Sequence, residues 1–374
     1  MSITQNSHTY REIRQQPAVW RDAVRLIGAR KAEIHSFTDK YLNEGYAVIL
    51  TGAGTSAYIG DALEPALHET RFKGARAIAT TDIITNPQMY FDSSSKVLLV
   101  SFARSGNSPE SVGAIKAVEK IAGEVAHIFI TCNKDGQLAQ MHGDNILTIL
   151  LPPATNDLSL AMTSSYSTMF LSCALIANID RLEQDIPLVE EVSSCVEKVL
   201  DRYESAIRKI ATLDFKRAIF LGSGPLKGVA EECHLKLQEL TDGSVMCSFD
   251  SYLGFRHGPK AVVNGDSLLV YLLSPNPSVR RYELDLIRQV QKGNKVTGVL
   301  VVCTKNPGLD PSEYDLCIET GMPQDMPPCY GCVSYVVAGQ LLGFFKSIDC
   351  GLNPDTPSVS GNISRVVEGV TLYI

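Results

Sequence analysis

AVILTGAGTS, residues 47–56, and AIFLGSGPL, residues 218–226, decide the fold. Each is a short β-rich apolar run that ends in a glycine turn, and Gly52 and Gly222 stand 170 residues apart. At nearly the same offset, LLV at 98–100 returns as LLV at 268–270, and IFITCNK at 128–134 returns as VLVVCTK at 299–305. Stretches of helical period lie between them: Pro109–Ile121 follows one strand, and Leu226–Leu240 follows the glycine turn of the second copy. Strands alternating with helices imply βαβ units and parallel sheets, and strands apolar throughout are buried on both faces, as such sheets require.

The spacing therefore predicts two tandem, doubly wound, parallel-sheet α/β domains, at residues 45–199 and 214–364. Mixed apolar and charged positions at helical spacing across 187–212 predict a helical connector, taken to separate the domains at 200–213, and residues 365–374 form a tail. Residues 1–44 read as a helical arm for packing or oligomer contact, with Thr9 and Glu12 spaced as a capping box.

Composition narrows the function. The 374 residues leave room for two cores. Apolar runs such as VLLVSF near residue 100 reach only six or seven residues, against the roughly 20 of a membrane helix, and the first 16 residues lack the pattern of a secretory signal. A cytoplasmic protein without a membrane span is expected. With 34 basic and 41 acidic residues the net charge is −7, the wrong sign for a nucleic-acid surface. All ten Cys lie at or after Cys132 with irregular spacing, which reads as scattered thiols; Cys329 and Cys332 form a CxxC with no second pair to make a metal site.

Two regions carry chemistry. SFARSGNSPES at 101–111 places Ser108 as an N-cap before Pro109 at the first helical position, with Ser105, Gly106, Asn107 and Arg104 just ahead. A helix N-terminus ringed by hydroxyls is a site for a phosphate dianion. The companion loop Gly52, Gly54, Thr55 and Ser56 follows the neighbouring strand, at the strand ends where open α/β sheets bind ligands. Neither loop is a Walker or dinucleotide fingerprint, so no nucleotide is implied. A polar loop with an ordinary cap is the bland alternative.

In the second copy, Val229, Cys233, Leu237 and Leu240 form an apolar stripe, with Lys236 and Glu239 three apart on a neighbouring face. Such a pair is commonly solvated. GFRHGPKAVV at 254–263 sets His257 between Arg256 and a Gly-Pro turn, held by a shaped loop and suited to proton exchange near neutral pH, or simply bonded to a backbone carbonyl.

Taken together, the duplicated unit, the Ser-rich loop, the KxxE helix and the RHGP loop resemble the sugar isomerase (SIS) domains of the isomerase half of glucosamine-6-phosphate synthase. TGAGTSAYIGD at 51, SFARSGNSPES at 101, AMTSS at 161, GFRHGPK at 254 and NPDTPSVSGNISRVVEGV at 353 are more similar still to the galactosamine-6-phosphate deaminase/isomerase family, also known as tagatose-6-phosphate ketose/aldose isomerases. The resemblance spans nearly the whole chain and implies flavodoxin-like SIS domains. It implies phosphate ligands at Ser105 and Ser108, with Ser56 and Thr163 in the sugar site. Gly54, Thr55, Arg104, Gly106, Asn107, Ser164 and Arg365 complete the binding set.

The same resemblance implies Glu239 as general base, Lys236 as a sugar contact and His257 as the ring-opening group, reaching into a partner subunit of a homodimer or dimer of dimers. No metal or cofactor is implied. Ala103 and Arg104 replace the synthase's Ser-Gln pair, and Arg365 replaces its Schiff-base lysine; a guanidinium cannot form an imine, so Arg365 reads as a binding or electrostatic residue. The synthase's glutaminase nucleophile is an N-terminal Cys, and here Ser2 stands second with no Cys before 132. The expected reaction is conversion of galactosamine 6-phosphate to tagatose 6-phosphate and ammonia. The alternatives are a plain galactose/tagatose 6-phosphate isomerase and a non-catalytic sugar-phosphate sensor.

Overall fold

A computed structural model describes residues 6–293, 295–367 and 369–373. The chain opens with helices α1 (His8–Arg14), α2 (Gln16–Ala29) and α3 (Lys31–Asn43). The first sheet follows, made of β1 (Ala47–Thr51), β2 (Arg76–Ala77), β3 (Lys96–Ala103), β4 (Glu124–Thr131) and β5 (Ile146–Leu150), with helices α4 (Thr55–Ala66) and α5 (Pro109–Ile121) threaded between its strands. Helices α6 (Ser164–Ala177) and α7 (Leu182–Ala211) lead to the second sheet. It contains β6 (Arg217–Leu221), β7 (Met246–Asp250), β8 (Ser267–Leu272), β9 (Gly298–Cys303) and β10 (Leu316–Glu319), with α8 (Pro225–Leu240) and α9 (Pro277–Gln291) between strands and α10 (Val336–Asp349) after them.

Every pairing in both sheets is parallel, with spatial orders β2-β1-β3-β4-β5 and β7-β6-β8-β9-β10. The second order is the first with five added to each label, so the repeat read from glycine turns is a repeat of topology. Equivalent positions occupy equivalent places in the two cores: Ile49 and Leu99 in one, Ile219 and Leu269, each 170 residues on, in the other. Strands β3, β8 and β9 are buried almost end to end, which is why their sequences show no alternation.

Two compact units contain these sheets, and each draws on distant stretches of chain. The first-sheet unit is Ala18–Asp157, Met162–Val189 and the chain from Ser364 onward; the second-sheet unit is Glu190–Ile363 with Leu158–Ala161 and the stretch ending at Pro17. The sheets lie within the spans expected at 45–199 and 214–364. The helical stretch expected across 187–212 is α7, which runs 30 residues and begins well before the connector bound at 200. The N-terminal arm is likewise shared out, α1 belonging to the second-sheet unit and α3 to the first.

The capping box at Thr9 and Glu12 does not form. Ser7 is the N-cap of α1, its hydroxyl accepting from the Tyr10 amide. Thr9 donates its hydroxyl to the Pro354 carbonyl, and buried Glu12 accepts the Leu158 amide at 2.5 Å and the Ser159 hydroxyl. A tertiary partner with unsatisfied amides outcompetes the local one.

The short-run argument against a membrane span also needs amending. Pro328–Asp349 forms one helical stretch of 22 residues that is apolar and long enough to cross a membrane. Most of it is buried inside the fold. Its glycines explain how: a Cβ on Gly339 would lie 2.5 Å from Cys233 Sγ, and one on Gly343 would lie 3.0 Å from the Lys236 carbonyl. Helix α10 thus lies directly against the apolar stripe of α8, where Val229, Cys233, Leu237 and Leu240 are all fully buried.

Candidate functional site

The loop expected to hold a phosphate has the helix start its sequence suggests. Ser108 caps α5, its hydroxyl accepting from the Ser111 amide at 3.4 Å and sharing a 2.6 Å hydrogen bond with the Ser111 hydroxyl; Pro109 takes the first helical position. The segment after β4 braces the loop from below: Asn133 donates to the Ser105 carbonyl, Leu138 N–H to the Gly106 carbonyl and Gln137 N–H to Asn107 Oδ1. Ser105 and Ser108 stay half-buried at the mouth, Asn107 is exposed and Gly106 buried. The Asn107 amide donates to Ser105 Oγ at 3.3 Å. Rigid hydroxyls at a helix N-terminus offer preorganised donors for an oxyanion.

The companion loop follows β1, which pairs with β3 so that Thr51 lies opposite Ser101. Gly54 caps α4 with φ +54° and ψ −129°, a conformation that strains any residue bearing a Cβ. Thr55 and Ser56, in the first turn of α4, are each 5% exposed.

Sequence reasoning passed over the residue that organises the rest of this region. Buried Asp157 accepts the Thr163 and Ser165 amides at 2.8 and 2.9 Å and the Ser164 and Ser165 hydroxyls at 2.5 and 2.6 Å, anchoring the start of α6. Ser164 is therefore engaged in holding the helix, and Thr163 is placed by its backbone. The Asp157 carbonyl accepts Arg365 Nη2 at 2.5 Å and Nε at 3.0 Å, while Asn156 Oδ1 accepts Nη2 at 3.1 Å. Buried Arg104 in turn donates to the Arg365 carbonyl at 2.6 Å. Arg365, expected to bind or steer substrate, is held on the first-sheet unit by these contacts. The only local hint was the acidic residue ahead of a Ser/Thr run; its partner Arg365, 208 residues on, left no sequence signal.

Lys236, Glu239 and His257 belong to the second-sheet unit. Lys236 and Glu239 lie in the last two turns of α8, but they are not the solvated pair their spacing commonly signals. Lys236 is fully buried and donates to Glu239 Oε2 at 2.6 Å, and its Nζ lies 3.4 Å from Oε1 of Glu232, also fully buried. The Glu239 side chain is 22% exposed. A carboxylate held by an internal ammonium, with one edge open, has its orientation set in advance of any substrate. Glu232 was missed, although Glu232, Lys236 and Glu239 share one helical face by spacing alone.

His257 sits on the loop between β7 and β8 and is exposed. Its backbone amide closes the turn on the Gly254 carbonyl at 2.9 Å, and neighbouring Arg256 ties the loop to Asp285 of α9 at 2.6 Å. The ring therefore projects from an anchored loop.

Known proteins match this arrangement. The SIS domain family model matches residues 40–179, the span of the first sheet. An AgaS protein of Streptomyces coelicolor is 40% identical over 98% of this chain and 95% of its own length. The D-galactosamine-6-phosphate deaminase AgaS of a Shewanella species is 36% identical over 98% of this chain and 91% of its own. The crystal structure of tagatose-6-phosphate ketose/aldose isomerase from Escherichia coli superposes with a TM-score of 0.90 at 33% identity, covering 100% of this chain and 98% of that one. With such likeness over essentially full lengths, this chain belongs to the AgaS family of SIS-domain proteins.

Proposed function

We propose that the chain is an amino-sugar phosphate deaminase/isomerase that converts galactosamine 6-phosphate to tagatose 6-phosphate and ammonia. The observation that carries the chemical assignment is the 2.6 Å contact between fully buried Lys236 and the partly open Glu239. The names of the full-length relatives support the substrate.

In this reading the Ser105 and Ser108 loop holds the phosphate. His257 moves the anomeric proton as the pyranose opens. Glu239 takes the C2 proton, leaving an enolamine, and returns a proton to C1. The resulting C2 imine takes up water and expels ammonia. Lys236 keeps the Glu239 carboxylate oriented through both transfers, so one base serves two adjacent carbons and neither a metal nor a cofactor is required.

Exposure of His257 on its anchored loop supports donation in trans, to the site of a second copy in a homodimer or dimer of dimers. An active monomer in sedimentation would overturn that part. The assignment is of a cytoplasmic enzyme of amino-sugar breakdown.

A second reading, a plain aldose–ketose isomerase on galactose 6-phosphate, shares the enolisation step and is favoured by the name of the Escherichia coli structure. Ammonia decides between them. Release from galactosamine 6-phosphate, faster than from glucosamine 6-phosphate, is expected; conversion of galactose 6-phosphate with no ammonia from either amino sugar would establish the second reading.

A further inference from the structure

The second-sheet unit contains a cavity of about 300 Å³ that the proposed reaction does not use. It lies at the carboxyl ends of β6, β8 and β9, with walls from Ser223–Leu226 after β6, Ser274–Asn276 after β8 and Thr304 after β9. This is the place in the second repeat that corresponds to the phosphate loops of the first. The likeness extends to backbone angles: Gly224 has φ +56° and ψ −128°, against +54° and −129° at Gly54. Open α/β sheets bind ligands at this strand-order reversal.

The chemistry has been exchanged. Where the first repeat presents Ser105 and Ser108 ahead of Pro109, the second has Pro275 and Asn276 ahead of Pro277. Asn276 Oδ1 already accepts the Ser278 and Val279 amides that would face an anion, at 2.9 and 3.4 Å. Pro225 removes one more amide at the start of α8. The nearby cation is largely engaged by backbone: Arg280 donates through Nε to the Ser274 carbonyl and through Nη1 to the carbonyls of Lys305 and Asn306. Behind the loop, fully buried Glu283 accepts the Ser274 amide at 2.9 Å. A phosphate there would meet capped amides and a carboxyl group.

The remaining walls are apolar and deformable, supplied by Met322, Met326, Val279, Pro323 and the Tyr335 ring, whose hydroxyl is fixed on the Leu273 carbonyl at 2.9 Å. Met sulfur makes favourable contacts with aromatic rings, and the hydroxyls of Ser223, Ser274 and Thr304 supply a polar edge. We propose that this crevice is a second ligand site, which takes an uncharged small molecule with a flat apolar ring and a hydrogen-bonding edge. The first turn of α8 is one of its walls, and the last turn of the same helix carries Glu239.

The test is calorimetric titration of the full-length protein with 2-naphthol and with 2-naphthyl phosphate, the same ring carrying a dianion. 2-Naphthol is expected to bind saturably at one site per chain. Affinity should fall at least about tenfold in Met326→Trp, which fills the crevice from the segment after β10, and in Val279→Phe, which fills it from α9. Each variant is used only if its melting temperature stays near that of the parent. 2-Naphthyl phosphate should leave 2-naphthol binding unchanged. Lack of saturable 2-naphthol binding, undiminished affinity in both variants, or competition by 2-naphthyl phosphate would overturn the proposal.

Discussion

The two repeats share strand order and the glycine turn, yet differ in the side chains around the strand ends. The first repeat keeps its helix N-termini polar, with hydroxyls at Ser105 and Ser108. The second starts α8 with Pro225, has Asn276 where the first has Ser108 as the cap before proline, and carries a charged cluster at the far end of α8, where Lys236 is buried between two carboxylates. The buried charged cluster is held in place by the close contact of α8 and α10.

The largest effect that would sharpen this contrast lies in the second repeat. Glu239→Gln should lower kcat by about 10²–10⁴-fold, the range for loss of a general base, while KM changes little. Steady-state ammonia release checks this, and near-normal kcat would remove Glu239 from the proposed role.

Glu283, beneath the apolar crevice, gives the next effect. Burial pushes its carboxyl up to about 7 from an ordinary value of 4.5. The folded state therefore holds a proton that the unfolded state releases, and this contribution is present below the unfolded value and lost as pH rises through about 7. Its full size is about 3 kcal/mol. Glu283→Gln keeps an acceptor for the Ser274 amide and should gain stability relative to the parent as pH rises from 4.5 to 8. Thermal melts across that range would show parallel curves if the carboxyl were not the cause.

A smaller, paired effect tests whether the two loops have diverged. Ser108 and Asn276 are both N-caps ahead of proline, so Ser108→Ala and Asn276→Ala should each cost about 1 kcal/mol of stability. Only Ser108→Ala should also raise KM for the sugar phosphate, by about tenfold for one hydrogen bond to a charged group. Equal KM changes in both variants would erase the distinction between the repeats.

Much of this organisation was legible in one dimension because strands buried on both faces and glycine turns leave dense local signals. Helix α5 runs Pro109–Ile121, as its period and its Ser-Pro start dictate. Where local and distant partners compete, the sequence is a poor guide. Glu12 left its local capping box for amides near 158, α7 begins well before the connector expected at 200–213, and Arg365 donates to the Asp157 carbonyl.

By itself, then, the sequence determined the repeat, the parallel sheets, the Ser-capped start of α5 and the placing of Lys236 and Glu239 on α8 and of His257 on a loop, since each depends on residues close together in the chain. Only the tertiary structure decided that Lys236 is buried rather than solvated, that Asp157 organises the start of α6, and that the second crevice is apolar. The second depends on how the turn before α6 folds back onto its own helix start, and the first and last on which distant segments pack against a residue and exclude water from it. Helix α10 does so for Lys236, through the two glycines that let it lie against α8.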